Sequence, residues 1–137
     1  QTEEDSASEV VNDEPAMKET IDIPQTQEIA GVWTNSAYDN EGRSGRVEYV
    51  KTGDSTYSYK AIDKSNGEGN AYKGKVVYKK RWTDEAGNLM GLSTVTLEGG
   101  MSWETLDRIS KNGKKLEVQS GVKEINPSGP RYSVYYR

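Results

Sequence analysis

The sequence contains no cysteine, no histidine and no phenylalanine. Without cysteine there is no disulfide framework, no thiol nucleophile and no thiolate metal site. Without histidine the commonest general base and the commonest transition-metal ligand are missing. A Ser-His-Asp triad and a zinc hydrolase site of the usual kind are therefore excluded. No apolar run approaches the ~20 residues of a membrane-spanning helix. Apolar residues of all kinds are scarce, at 32% of 137 residues with a mean hydropathy of −0.92. That share is low for a globular domain. It fits one domain that has a polar extension and a thin core. Nine tyrosines and three tryptophans supply most of the bulk. Tyrosine suits half-buried strands, because its ring packs while its hydroxyl stays hydrated.

The polar extension is residues 1–30. Glu3, Glu4, Asp5, Glu9, Asp13, Glu14, Glu19, Asp22 and Glu28 stand there against Lys18 alone. High net charge with little to bury reads as a flexible acidic leader. Its apolar residues are scattered, and Ile21, Ile23 and Ile29 are expected to lay a short segment against the mouth of the following domain. The body, 31–137, keeps thirteen of the 22 acids and seventeen of the 18 bases, so it is mildly basic. The chain opens at Gln1 within polar sequence. The expectation is an exported protein: periplasmic, secreted, or held at an outer membrane by a lipid on a residue preceding this sequence.

From Trp33 onward the hydrophobic period is two. Arg46–Val50 alternates, and Thr56–Ile62 sets Tyr57, Tyr59 and Ala61 on one face. Ala71–Trp82 sets Tyr72, Gly74, Val76, Tyr78 and Trp82 on one face, opposite Lys73, Lys75, Val77, Lys79 and Arg81. Lys80 breaks the inner row and predicts a bulge. Further strands are expected over Leu89–Leu97, Ser102–Ser110, Lys115–Val122 and Arg131–Arg137. Turns fall at Gly53-Asp54, Asn66–Asn70, Asp84–Asn88, Gly99-Gly100 and Asn126–Pro130, and Asn112-Gly113 is the strongest hairpin signal. Eight strands joined by short turns predict an all-β fold. A meander of this length closes best as a single antiparallel up-and-down barrel, which also removes exposed edges. Such a barrel is filled by its own side chains or holds one small ligand.

At Gly31-Val32-Trp33 the chain resembles the lipocalin-like (calycin) superfamily, and within it the short exported bacterial members. In these barrels a Gly-x-Trp opens the first strand. The resemblance implies that Trp33 plugs the closed end and that an arginine of the last strand covers its ring. Arg137 is the candidate for that arginine, with Arg131 second. Tyr72-Lys73-Gly74-Lys75 is similar to a Tyr-x-Gly-Lys strand in small exported bacterial barrel proteins. The chain departs from classical lipocalins in lacking their disulfide and a clear long helix before the last strand.

Tyr57, Tyr59, Tyr72, Tyr78, Trp82 and Trp103 are the residues expected to line a cavity, since aromatic walls with a few hydroxyls suit a small-molecule pocket. The alternative is that the same rings fill the core. Arg43, Arg46, Lys60, Lys75, Arg81 and Arg108 are candidates for an anionic head group, although alternation turns most of them outward. Asp84 with Glu85, and Asp63, Asn66, Glu68 and Asn70, form polar loops without the spacing of a calcium loop. Glu48, Glu98, Glu104 and Asp107 are the carboxylates from which a hydrolytic pair would be drawn.

The expected function is binding of a compact hydrophobic or amphipathic molecule at the open barrel end. A filled barrel acting as an interaction module of the cell envelope is the alternative, and a carboxylate-based hydrolase stands third. No enzymatic activity, cofactor or metal is expected. Partners are expected to exclude nucleic acid, to involve membrane only through a lipid anchor, and to leave the protein a monomer.

Overall fold

The computed structural model describes residues 22–35, 45–63 and 71–137. The acidic stretch 1–21, with Ile21, lies outside the described residues, as do Arg43 and the loop residues Asn66, Glu68 and Asn70. The strands are β1 (Gly31–Asn35), β2 (Gly45–Lys51), β3 (Thr56–Asp63), β4 (Ala71–Thr83), β5 (Leu89–Leu97), β6 (Ser102–Ile109), β7 (Lys115–Ser120) and β8 (Tyr132–Tyr136). Each pairs antiparallel with the next, and β8 returns to β1, so the sheet is a closed up-and-down barrel. The closing seam is its shortest ladder, with the single register pair Thr34↔Tyr136. At Asn112-Gly113 the Gly113 amide bonds the Ser110 carbonyl at 2.8 Å, and Ser110 receives Lys114 and Lys115 amides on its hydroxyl.

Residues before β1 belong to the barrel. A 3-10 turn, Gln25–Gln27, brings Gln27 beneath the strand ends. There the buried amide Nε2 donates to the carbonyls of Gly87, Ile109 and Ser110 at 3.0–3.3 Å. Ile29 is buried in the core and Ile23 packs against it. This segment covers the end where β1 begins, not the mouth where sequence reasoning set it. Gln27 explains the difference, because the open carbonyls it satisfies lie at the β4–β5 and β6–β7 turns.

Trp33 is fully buried above this strap, and its Nε1 donates to the Ile29 carbonyl at 2.9 Å. The Arg137 guanidinium lies 4.0 Å from the Trp33 ring centroid. Its nitrogens also donate to the carbonyls of Gly113, Thr26, Glu28 and Ala30 at 2.9–3.3 Å. Gly31 has φ +132, and a Cβ there would stand 3.5 Å from the Arg137 Nη1. Only glycine adopts that backbone without strain. Cation–π stacking contributes about 0.5–2 kcal/mol. With four carbonyls also held, Arg137 ties the strap, the β6–β7 hairpin and β1 into one floor.

A bulge reorganises β4. Tyr78 pairs with Ser93 but Lys80 pairs with Leu92, so Lys79 is the extra residue. One inserted residue exchanges the faces of everything beyond it. Arg81 is therefore buried, at 3% exposure, and Trp82 turns to the other face, where Lys80 sits 5.0 Å from its ring. Sequence alternation had Arg81 outward and Trp82 inward.

On the outer side, Arg108 grips Glu117 with two hydrogen bonds at 2.7 and 2.8 Å, and the Tyr132 hydroxyl adds a third at 2.6 Å. Gln119 accepts from the Asn126 amide and donates to the Pro130 carbonyl, at 2.7 and 2.9 Å. These contacts hold the segment 121–131 back across β7 and deliver Arg131 to the top of the barrel.

Candidate site: a small polar cavity inside the barrel

Inward-facing residues of β2 to β8 enclose a cavity of about 150 Å³. It sits above the core layer of Trp33, Ile29, Leu89, Ile109 and Leu116. Its wall carries several polar side chains. Tyr78, Ser93, Thr105 and Ser120 stand in one register row across four consecutive strands. Asp107 lies in the next row down, opposite Gly91. Trp103, Tyr59, Tyr135 and Arg131 complete the lining.

Hydrogen bonding divides these groups sharply. The Tyr78 hydroxyl donates to Asp107 Oδ2 at 2.6 Å. The hydroxyls of Ser93 and Thr105 are buried and have no hydrogen-bond partner. Leaving a buried hydroxyl unpaired costs about 1–3 kcal/mol. Both residues line the cavity wall.

Asp107 is 5% exposed. Burial pushes its carboxyl up to about 7, against the opposing pull of the Tyr78 hydroxyl and the Arg81 guanidinium. Gly91 makes the arrangement sterically feasible. A Cβ there would fall 2.5 Å from a Tyr78 ring carbon and 2.9 Å from Asp107 Oδ1. Arg81 lies below this pair, 3.8 Å from the Tyr78 ring and 5.1 Å from the Tyr57 ring. Its Nη2 is buried without a hydrogen-bond partner.

The six aromatic candidates fall into separate places. Tyr59, Tyr78 and Trp103 line the cavity. Tyr57 is fully buried below it, edge-on to Tyr78 at 5.7 Å, with its hydroxyl donating to Glu28 at 2.6 Å. Burial and this bond to Glu28 push the Tyr57 hydroxyl up to about 12. Burial would raise the Glu28 carboxyl, but the Tyr57 hydroxyl, the Ala30 amide and Lys51 hold it below the ordinary range. Tyr72 shares the inner parity but lies 46% exposed near the start of β4, outside the cavity lining. Trp82 faces away because of the bulge. Tyr49 and Tyr135, absent from the sequence-based set, do line the cavity, and Tyr49 packs on Tyr59 at 5.6 Å. Alternation sets Tyr49 inward with Val47, but in the last strand it sets Tyr132, Val134 and Tyr136 on the apolar face, opposite Ser133 and Tyr135, and the structure turns Ser133 and Tyr135 inward instead.

Among the basic candidates, Arg46 pairs with Glu48 and Arg108 with Glu117 on the outer face. The base at the cavity is Arg131, which has φ +61 and donates to the Ser120 carbonyl at 3.2 Å. A non-glycine residue in that left-handed region is uncommon. Here it turns the chain so that the guanidinium reaches the mouth. Of the acidic candidates, Glu104 pairs with Lys79 at the surface, whereas Asp107 is inside. In the Asp84–Asn88 turn, Asp84 receives the amides of Ala86 and Asn88 and the Asn88 side chain, at 2.9–3.0 Å. Comparison with family models, curated proteins and solved structures finds no match.

Proposed function

We propose that this protein is a lipocalin-like binding barrel that takes one compact amphipathic molecule into the cavity beneath its mouth. The observation that carries the reading is the pair of buried, unpartnered hydroxyls, Ser93 Oγ and Thr105 Oγ1, in the cavity wall. The volume sets the size class. A cavity of about 150 Å³ accommodates a benzene-sized guest, so long-chain lipids are disfavoured. Aromatic walls with a few convergent polar groups are the usual composition of a small-molecule site. The Gly31–Trp33–Arg137 floor supports the lipocalin-like part of the reading, since it leaves only the opposite end for entry.

Native mass spectrometry of protein purified from its own host, before and after organic extraction, tests this. The expected result is a stoichiometric adduct of roughly 100–200 Da, the mass class such a cavity admits, which extraction removes. A clean apo mass under both conditions overturns the reading. It would favour the second one, a filled barrel acting through its outer surface, whose support is a cavity smaller than the ~300–1,000 Å³ of ordinary ligand sites.

A further inference from the structure

The cavity is electrically polarised. Among the described residues, Asp107 is the one acid in its lining and Arg131 the one base, and they belong to opposite ends. Asp107 follows Thr105 by two residues on β6, so both point inward, and Ser93 is the direct cross-strand neighbour of Thr105. Side chains related in this way lie within about 8 Å of one another. One carboxylate and two residues with unpartnered hydroxyls are thus register neighbours at one end of the cavity. An ammonium carries three N–H donors and no acceptor, and it is the simplest group that satisfies all three. Above this end stand the rings of Tyr59, Trp103 and Tyr135, whose faces attract cations. Among the described residues no base forms an ion pair with Asp107. Arg81 acts on it at longer range, from its stacked position on Tyr78.

Resting on the binding reading above, we infer that the ligand is a compact primary amine. Its ammonium faces Asp107 and the Ser93 and Thr105 hydroxyls, and its body lies between Tyr59, Trp103 and Tyr135. An anionic group at the floor would meet the Asp107 carboxylate instead. An acceptor or carboxylate at the ligand's other end has Arg131 within the mouth to receive it.

The amine requires Asp107 ionised, so protons compete with it. Among the described residues, the titratable and charged groups facing Asp107 are Tyr78 and Arg81 from β4 and Tyr49 from β2. Gly91 and Ser93 on β5 and Val118 on β7 bring no charge, and Tyr135 and Arg131 complete the lining. Tyrosines and arginines keep one charge state across neutral pH. Among the described groups that face the cavity, Asp107 is the one whose charge changes between pH 6 and 8.

Calorimetric titration of the full chain with benzylamine, benzyl alcohol and benzoate, probes matched in size, tests the inference. At pH 8 benzylamine is expected to bind at least tenfold more tightly than benzyl alcohol, with benzoate weakest. Benzylamine affinity is expected to fall about tenfold from pH 8 to pH 6, as an acid titrating near 7 gains its proton. Asp107→Asn should erase the preference for benzylamine over benzyl alcohol. Should that variant misfold, the wild-type probe ratio and pH series decide alone. Benzyl alcohol or benzoate binding as tightly as benzylamine, or an amine affinity flat across pH 6–8, overturns the amine inference and leaves the binding barrel standing. If no probe binds and the host-purified protein carries no adduct, the binding reading falls and this inference falls with it.

Discussion

Replacing Trp33 by alanine removes the floor of the barrel. Truncating a fully buried Trp costs about 3–5 kcal/mol through lost burial and the cavity left behind. Trp33 is at 0% exposure, so the upper part of that range applies. Two local losses come with it. The Ile29 carbonyl loses its 2.9 Å hydrogen bond from the indole, and an unsatisfied buried acceptor costs about 1–3 kcal/mol. The Arg137 guanidinium also loses the ring it covers at 4.0 Å. These contributions share one site and do not add. The expected loss is about 4 kcal/mol, a large part of the ~5–15 kcal/mol that holds a domain together. Trp33→Phe separates the causes, because it keeps a ring beneath Arg137 but no N–H donor. It should cost about 1–2 kcal/mol. Urea denaturation followed by circular dichroism measures both, with Trp82 and Trp103 remaining as fluorescence reporters. A loss below about 1 kcal/mol for the alanine variant, at unchanged denaturant slope, would refute the reasoning, since most single substitutions away from such features cost no more.

Three further outcomes are expected. The folded-state value of Asp107, about 7, lies above the ordinary carboxyl value. Its contribution to stability is therefore full below the unfolded value and lost as pH rises through 7. The stability of Asp107→Asn minus that of wild type should increase from pH 4 to pH 8, by at most about 4 kcal/mol. Glu28 and Glu117, both held low, slope the other way in both proteins and cancel in the difference. A difference flat with pH in parallel urea titrations would contradict the buried carboxyl. Gly91→Ala places a Cβ 2.5 Å from the Tyr78 ring and should cost about 1–3 kcal/mol through overpacking. A thermal melt unchanged from wild type would show that the ring has room to move. Trp82→Ala, on the outer face, should cost about 1 kcal/mol or less and leave benzylamine affinity unchanged. A tenfold weaker affinity would put Trp82 back in the cavity.

The strands were legible because one face of a barrel is dry and the other wet, and that difference writes a period of two into the chain. Gly45–Lys51 and Thr56–Asp63 follow it, whereas Leu89–Leu97 and Ser102–Ile109 carry polar residues inside, and turn glycines and asparagines mark the ends. The bulge was legible as an irregularity at Lys80 but its consequence was not. With Lys79, Lys80 and Arg81 consecutive, polarity alone does not say which residue is extra, and the face of Trp82 depends on that choice. The site was less legible for a related reason. A buried Asp is rare unless paired, so Asp107 read as one more carboxylate with an uncertain face. Its inward direction follows from sharing parity with Trp103 and Ile109. Its tolerance inside depends on Tyr78 and Gly91, each about sixteen or more positions distant in sequence and brought close only by the register. The role of Gln27 was illegible in the same sense, since the carbonyls it satisfies belong to turns about sixty or more residues further along the chain.

The most direct test of the central claim is a high-resolution crystal structure of the protein isolated from its host without extraction. The account predicts non-water density in the 150 Å³ cavity, within hydrogen-bond distance of Ser93 Oγ and Thr105 Oγ1. Ordered water alone bridging those hydroxyls, or side chains collapsed onto them, would contradict it.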